Sequence, residues 1–71
     1  MNINQAKNLK HGDIVHHKEL KNADGTPARG RVNGKVKTWK RDTSRVSVPM
    51  KHGLYNYFYI TEDNMQDFTL A

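Results

Sequence analysis

At 71 residues, with a net charge of +5 and no cysteine, the chain makes one domain with a thin core, burying about 60% of the surface its unfolded form exposes. That excludes a disulfide scaffold, a thiolate metal centre and a deep cleft flanked by a second domain, and it fits a reducing, cytoplasmic setting. No apolar run is long enough for a secretory signal or for the roughly 20 residues of a membrane span, so no membrane partner is expected.

The charge is unevenly placed. Residues 28–52 carry Arg29, Arg31, Lys35, Lys37, Lys40, Arg41, Arg45 and Lys51 against Asp42 alone, whereas residues 53–71 hold Glu62, Asp63 and Asp67 and no cation. A compact domain built this way has a positive field over one part of its surface, which draws polyanions. The same charges also serve as a solvated face that keeps a small domain soluble.

Along the chain the punctuation is that of β structure. Residues 2–10 are polar with Ile3, Ala6 and Leu9 at helix-like spacing, enough for a short N-terminal turn at most. Residues 1–11 therefore read as an arm ahead of a single barrel domain spanning 12–71. Gly12 and Asp13 open a first strand, Ile14 to Lys18, and Asn22, Asp24, Gly25 and Pro27 mark residues 19–27 as a loop.

Residues 28–39 alternate with period two. Ala28, Gly30, Val32, Gly34, Val36 and Thr38 fall on one face, and Arg29, Arg31, Asn33, Lys35, Lys37 and Trp39 on the other, the pattern of a strand with one apolar and one cationic side. Asn33-Gly34 is also a hairpin signal. A hairpin there would set Val32 beside Lys35 and Arg31 beside Val36, so one long strand bent at its glycines is preferred.

After the turn at 40–44, Val46, Val48 and Met50 alternate with Arg45, Ser47, Pro49 and Lys51. Pro49 cannot donate to a ladder, which places this strand at an edge or ends it there. Beyond His52-Gly53, Leu54, Phe58 and Ile60 share one face and Tyr55, Tyr57 and Tyr59 the other. Thr61 caps a one-turn helix with Glu62 and Asp63 at its start, and a short strand near Phe68 to Leu70 closes the fold. The expected fold class is all-β, a small five-stranded barrel, with Val32, Val36, Val46, Val48, Leu54, Phe58, Ile60 and Phe68 as core.

Gly12-Asp13-Ile14-Val15, followed by Gly34-Lys35-Val36 and Trp39, resembles the opening of Src-homology-3-like barrels of the KOW type found in ribosomal and transcription proteins. The resemblance covers residues 9–70 in outline and implies nucleic-acid or protein binding. The loop at 19–27 is longer than the KOW turn, and the acidic C-terminal end is foreign to that pattern.

Two constellations point to DNA or RNA. Arg29, Arg31, Lys35 and Lys37 form one cationic strip able to track phosphates, with Lys40, Arg41 and Arg45 close behind it. Trp39 on that face, and the row Tyr55, Tyr57, Tyr59, offer planar surfaces on which unpaired bases stack. The tyrosines also read as ordinary strand residues covering the barrel, and Trp39 as a plug for its end. Such a strip meets phosphates rather than base edges, so low sequence specificity is expected.

No metal or cofactor is called for: His16 and His17 are adjacent in a strand and point to opposite faces, while His11 and His52 lack partners at ligand spacing. Glu62 and Asp63 are explained by a helix start. Type II dihydrofolate reductases are also tiny barrels, and this chain is similar to them in Gly12-Asp13-Ile14-Val15. It reads Val46-Ser47-Val48-Pro49 where they have Val-Gln-Ile-Tyr, so their pore chemistry is not implied. No catalytic triad, phosphate loop or carboxylate pair appears, and no enzyme is expected. The alternative is a protein-interaction module or inhibitor that binds a host protein, of the kind phages and mobile elements encode.

Overall fold

The computed structural model describes residues 1–54 and 56–71. They hold α1 (Ile3–Lys7), β1 (Ile14–Lys21), β2 (Pro27–Val32), β3 (Lys37–Thr38), β4 (Val46–His52), β5 (Asn56–Thr61), a 3-10 turn (Met65–Asp67) and β6 (Phe68–Leu70). The chain is mostly β, in one antiparallel sheet of six strands rather than five. β6, β1, β2 and β4 lie side by side, and β4 also pairs with β3 and β5.

β4 is the spine because its alternation is the cleanest in the chain. Val46, Val48 and Met50 are buried while Ser47, Pro49 and Lys51 are only partly covered, and each buried aliphatic side chain contributes about 1.5–3 kcal/mol. β2 alternates in step, with Gly30 and Val32 buried and Arg29 and Arg31 exposed. Gly30 is small for a packing reason: a Cβ there would come within 3.1 Å of Phe58 Cζ and 3.3 Å of Met50 Cε.

The long strand expected over 28–39 is broken at residues 33–36, which gives the sixth strand. Both pieces pair with β4, so Asn33-Gly34 does not form a hairpin. Five residue steps from Val32 to Lys37 face three from Met50 to Ser47. The excess is even, so the two faces of the path stay in phase across the break.

Pro49 corrects a second expectation, because it sits inside the central strand and not at an edge or an end. Its carbonyl oxygen accepts from Asn33 N at 2.8 Å, and a strand residue turns its N and its O toward the same neighbour. The missing N–H therefore faces the point where the β2 ladder stops. The proline costs no bond that β5 needs.

The core is Ala6, Leu9, Val15, Val32, Val46, Val48, Met50 and Ile60, with Val36, Phe58, Met65 and Phe68 packed partly buried against it. Leu54 does not belong to it. The residue is 74% exposed, because β5 begins at Asn56 and Leu54 lies in the turn before it, where strand parity no longer applies. The N-terminal residues contribute more than a turn: α1 carries a capping box between Asn2 and Gln5, and Ala6 and Leu9 are buried. Lys7 Nζ donates to Thr43 O at 2.5 Å, tying α1 to the loop before β4.

The loop at 19–27 shortens to 22–26, since β1 runs on to Lys21 and β2 starts at Pro27. Asn22 N donates to Thr26 O at 2.8 Å, and Thr26 Oγ1 to Asp24 Oδ1 at 2.6 Å. The resulting hairpin is exposed from Lys18 to Pro27. Thr61 does cap a turn, accepting from Asp63 N at 3.2 Å. Glu62 serves elsewhere, its Oε1 accepting from Val46 N at 3.0 Å, and the 3-10 turn begins after Asn64.

Candidate nucleic-acid interface

Directly opposed residues in an antiparallel ladder share a face. The registers therefore build the outer face row by row. Ile14, Arg31, Lys51 and Tyr57 stand in one row across β1, β2, β4 and β5, with Lys51 Nζ 5.6 Å from the Tyr57 ring centroid. His16 and Arg29 form the row beyond it. On the other side come Pro49 with Tyr59, then Lys37, Ser47 and Thr61. Tyr57 and Tyr59 are 62% and 61% exposed, so aromatic surface faces solvent beside the cations.

Trp39 follows β3 and is partly buried. The Arg45 guanidinium lies 4.0 Å from its ring centroid and Lys37 Nζ 5.1 Å. These cation–π contacts cover the ring with the protein's own charge more closely than Lys51 covers Tyr57 at 5.6 Å, and Tyr57 and Tyr59 are the more exposed aromatic surface. Lys40 and Arg41 are exposed in the loop that follows, and Lys35 is exposed in the break between β2 and β3. The strip expected from Arg29, Arg31, Lys35 and Lys37 is thus interrupted at Lys35. Tyr55 lies outside the described residues.

Lys51 and His52 were not singled out by sequence reasoning. Lys51 has the same parity on β4 as Ser47, continuing that of Arg45 just before the strand, and following it to the end of the strand finds Lys51. His52 Nδ1 donates to the Arg29 carbonyl oxygen at 2.6 Å. A carbonyl only accepts, so Nδ1 carries the proton in this bond. Arg29, Arg31, Lys51 and His52, with Ile14 and Leu54, line an open cleft of ≈ 490 Å³ whose walls contain no carboxylate.

A second cleft of ≈ 490 Å³ shares Arg29, Gly30 and His52 with the first. Its walls are mostly apolar, with Leu20, Ala28, Tyr57, Phe58 and Phe68 beside His17, Asn56, Asn64 and Asp67. Phe58 and Phe68 stack at 5.9 Å, and His17 meets Phe68 edge-on at 5.1 Å. His16 and His17 do turn to opposite sides: His16 sits opposite Arg29, and His17 Nδ1 accepts from Glu19 N and Leu20 N, both at 3.0 Å. Among the described residues, no three His, Asp or Glu side chains gather as a metal site, and no helix is long and apolar enough to cross a membrane.

Comparison with protein-family models, curated proteins and solved structures finds no match to this chain.

Proposed function

We propose that this protein is a small Src-homology-3-like barrel that binds DNA or RNA in the cytoplasm with low sequence preference and catalyses no reaction. The observation that carries the reading is the row Arg31, Lys51, Tyr57 beside a carboxylate-free cleft. Cations spaced along neighbouring strands neutralise successive phosphates and release counterions, and a tyrosine in the same row supplies a stacking face. A barrel closed by side chains is supported by the Phe58–Phe68 stack at 5.9 Å between β5 and β6 and by the single 3-10 turn before the last strand. With no helix longer than α1 among the described residues, base readout in the major groove lacks its usual instrument.

The test is fluorescence anisotropy with labelled oligonucleotides of unrelated sequence at two salt concentrations. The wild type binds them alike, and Arg31→Ala with Lys51→Ala reduces the salt slope by about 1 to 2. No binding by the wild type at low salt would overturn the reading.

A protein-binding reading draws on a different observation. Among the described strands, β5 and β6 each pair on one side only, and Leu20 and Leu54 are exposed nearby. An added peptide strand would suit such an edge. Its affinity would be nearly indifferent to salt, which separates it from polyanion binding.

A further inference from the structure

Tyr57 and Tyr59 lie two positions apart on β5, so their side chains leave the same face of the sheet. They are 62% and 61% exposed. Opposite them on β4 stand Lys51 and Pro49, and Lys51 is in turn opposite Arg31 on β2. Both rings and both cations therefore share one face. The charge on that face is one-sided: Arg31 and Lys51 flank the rings from β2 and β4, whereas residues 53–71, which include β5 itself, hold no lysine or arginine. Among the described strands β5 pairs with β4 alone, so no described strand borders the rings on the side away from the cations.

We infer that this face holds a single-stranded nucleic acid, its phosphates over Arg31 and Lys51 and its unpaired bases against Tyr57 and Tyr59. The inference rests on the nucleic-acid reading above and deepens it from polyanion to single strand. Two observations favour a single strand over a duplex. The first is spacing: Cα atoms two positions apart on a strand are separated by about 6.8 Å, twice the roughly 3.4 Å between stacked neighbours in a duplex. Bases fit that spacing only once they have left their own stack, whether one inserts between the rings or two lie on them in succession. The second is the one-sided charge. A duplex has a phosphate backbone on each flank of its bases, and the flank over β5 offers the second backbone no cation. A single strand presents only neutral bases there. Lys51 Nζ is 5.6 Å from the Tyr57 ring centroid, which puts a phosphate contact and a stacking ring within the span of one nucleotide.

The experiment compares an oligothymidylate with an abasic strand of the same length and charge, and with a duplex of that length, in anisotropy titrations at fixed low salt. The wild type binds the oligothymidylate at least about fivefold more tightly than the abasic strand, the lower end of what one stacked base contributes. The paired change Tyr57→Ser and Tyr59→Ser alters two exposed side chains, and a thermal melt verifies that the fold survives. That variant loses the preference for bases and keeps its affinity for the abasic strand and for the duplex. Tyr57→Phe with Tyr59→Phe retains both rings and therefore the preference. Equal binding of oligothymidylate and abasic strand by the wild type overturns the inference while leaving the polyanion reading intact. So does a serine variant that retains the preference or weakens on the duplex equally, or a phenylalanine variant that loses the preference. Failure of the wild type to bind any of the three overturns both.

Discussion

Gly34 lies directly against Pro49: a Cβ on Gly34 would come within 3.2 Å of Pro49 Cγ, and the glycine has φ +131°. The contact explains how the β2–β3 path leaves β4 and rejoins it. Pro49 ends the β2 ladder by lacking an N–H, and Gly34 supplies a conformation that other residues rarely adopt. Gly34→Ala is expected to cost about 1–3 kcal/mol by urea denaturation, through backbone strain. The contact with the proline ring adds to that cost. In a Pro49→Ala background, where Cγ is gone, the same change costs less; an identical cost in both backgrounds would show that the contact is not felt.

The core makes a sharp contrast between two residues that look alike in sequence. Met50 is 1% exposed and packs beneath Gly30, so Met50→Ala is expected to lose about 2–5 kcal/mol. Leu54→Ser should stay within about 0.5 kcal/mol of wild type, because Leu54 already meets water. Thermal and urea melts measure both. A large loss at Leu54 would place that side chain in the core after all.

What could be read from the chain depended on whether a signal was local. The facing of Arg29, Arg31, Val32, Val46, Val48, Tyr57, Tyr59 and Ile60 follows from period-two alternation, which the ladder preserves. The break at 33–36 did not show, because its two extra residues leave the alternation undisturbed. Pro49 lies inside β4 although a proline reads as an edge signal. Only the partner strand reveals that its missing N–H meets the end of a ladder. Parity carried one turn too far puts Leu54 in the core, although β5 begins only at Asn56. The joining of Lys51 to Arg31, and of Leu20 to Phe58 and Phe68, depends on long-range pairing that no window of sequence contains.

Asp42 gives a prediction about acid. Its carboxyl is held below the ordinary carboxylate range chiefly by the Ser44 hydroxyl at 2.5 Å, then by the Ser44 backbone N–H at 3.1 Å, with Arg45 and Lys7 adding smaller electrostatic help against desolvation. A carboxylate lowered on folding adds stability that is present above its unfolded pKa and is lost as pH falls through its native pKa. Ser44→Ala should therefore move the Asp42 midpoint upward in a carboxyl-detected NMR titration. An unmoved midpoint would remove the serine as its cause.

Glu62 answers for a backbone group rather than for a helix. Its Oε1 accepts from Val46 N at 3.0 Å in a partly buried position where β4 begins. Removing the acceptor leaves that donor without its side-chain partner, so Glu62→Ala is expected to cost about 1–3 kcal/mol. Glu62→Gln retains an acceptor and should recover part of it. Equal losses for the two variants would mean that the charge, not the hydrogen bond, matters.

The last prediction separates the interface described by the registers from a simple count of cations. Lys40 and Lys51 are both lysines in the basic segment, but Lys40 lies in the loop after Trp39, whereas Lys51 stands between Arg31 and Tyr57 and walls the carboxylate-free cleft. If only total charge attracted the polyanion, the two would contribute equally. On the proposed surface they do not. Lys51→Ala removes a phosphate contact and a cation from beside a stacking ring, so it should weaken oligonucleotide binding and lower the salt slope by about 1. Lys40→Ala should change the encounter rate more than the affinity, since a charge outside the contact acts by steering. Neither variant should shift the melting temperature appreciably, because Lys40 is exposed and Lys51 only partly covered, and charges that meet solvent contribute little to folding. Titrations at two salt concentrations, with association rates from stopped flow, distinguish the cases. Equal loss of affinity from both would reduce the interface to a diffuse positive field, and a larger loss at Lys40 would move it to the loop after β3.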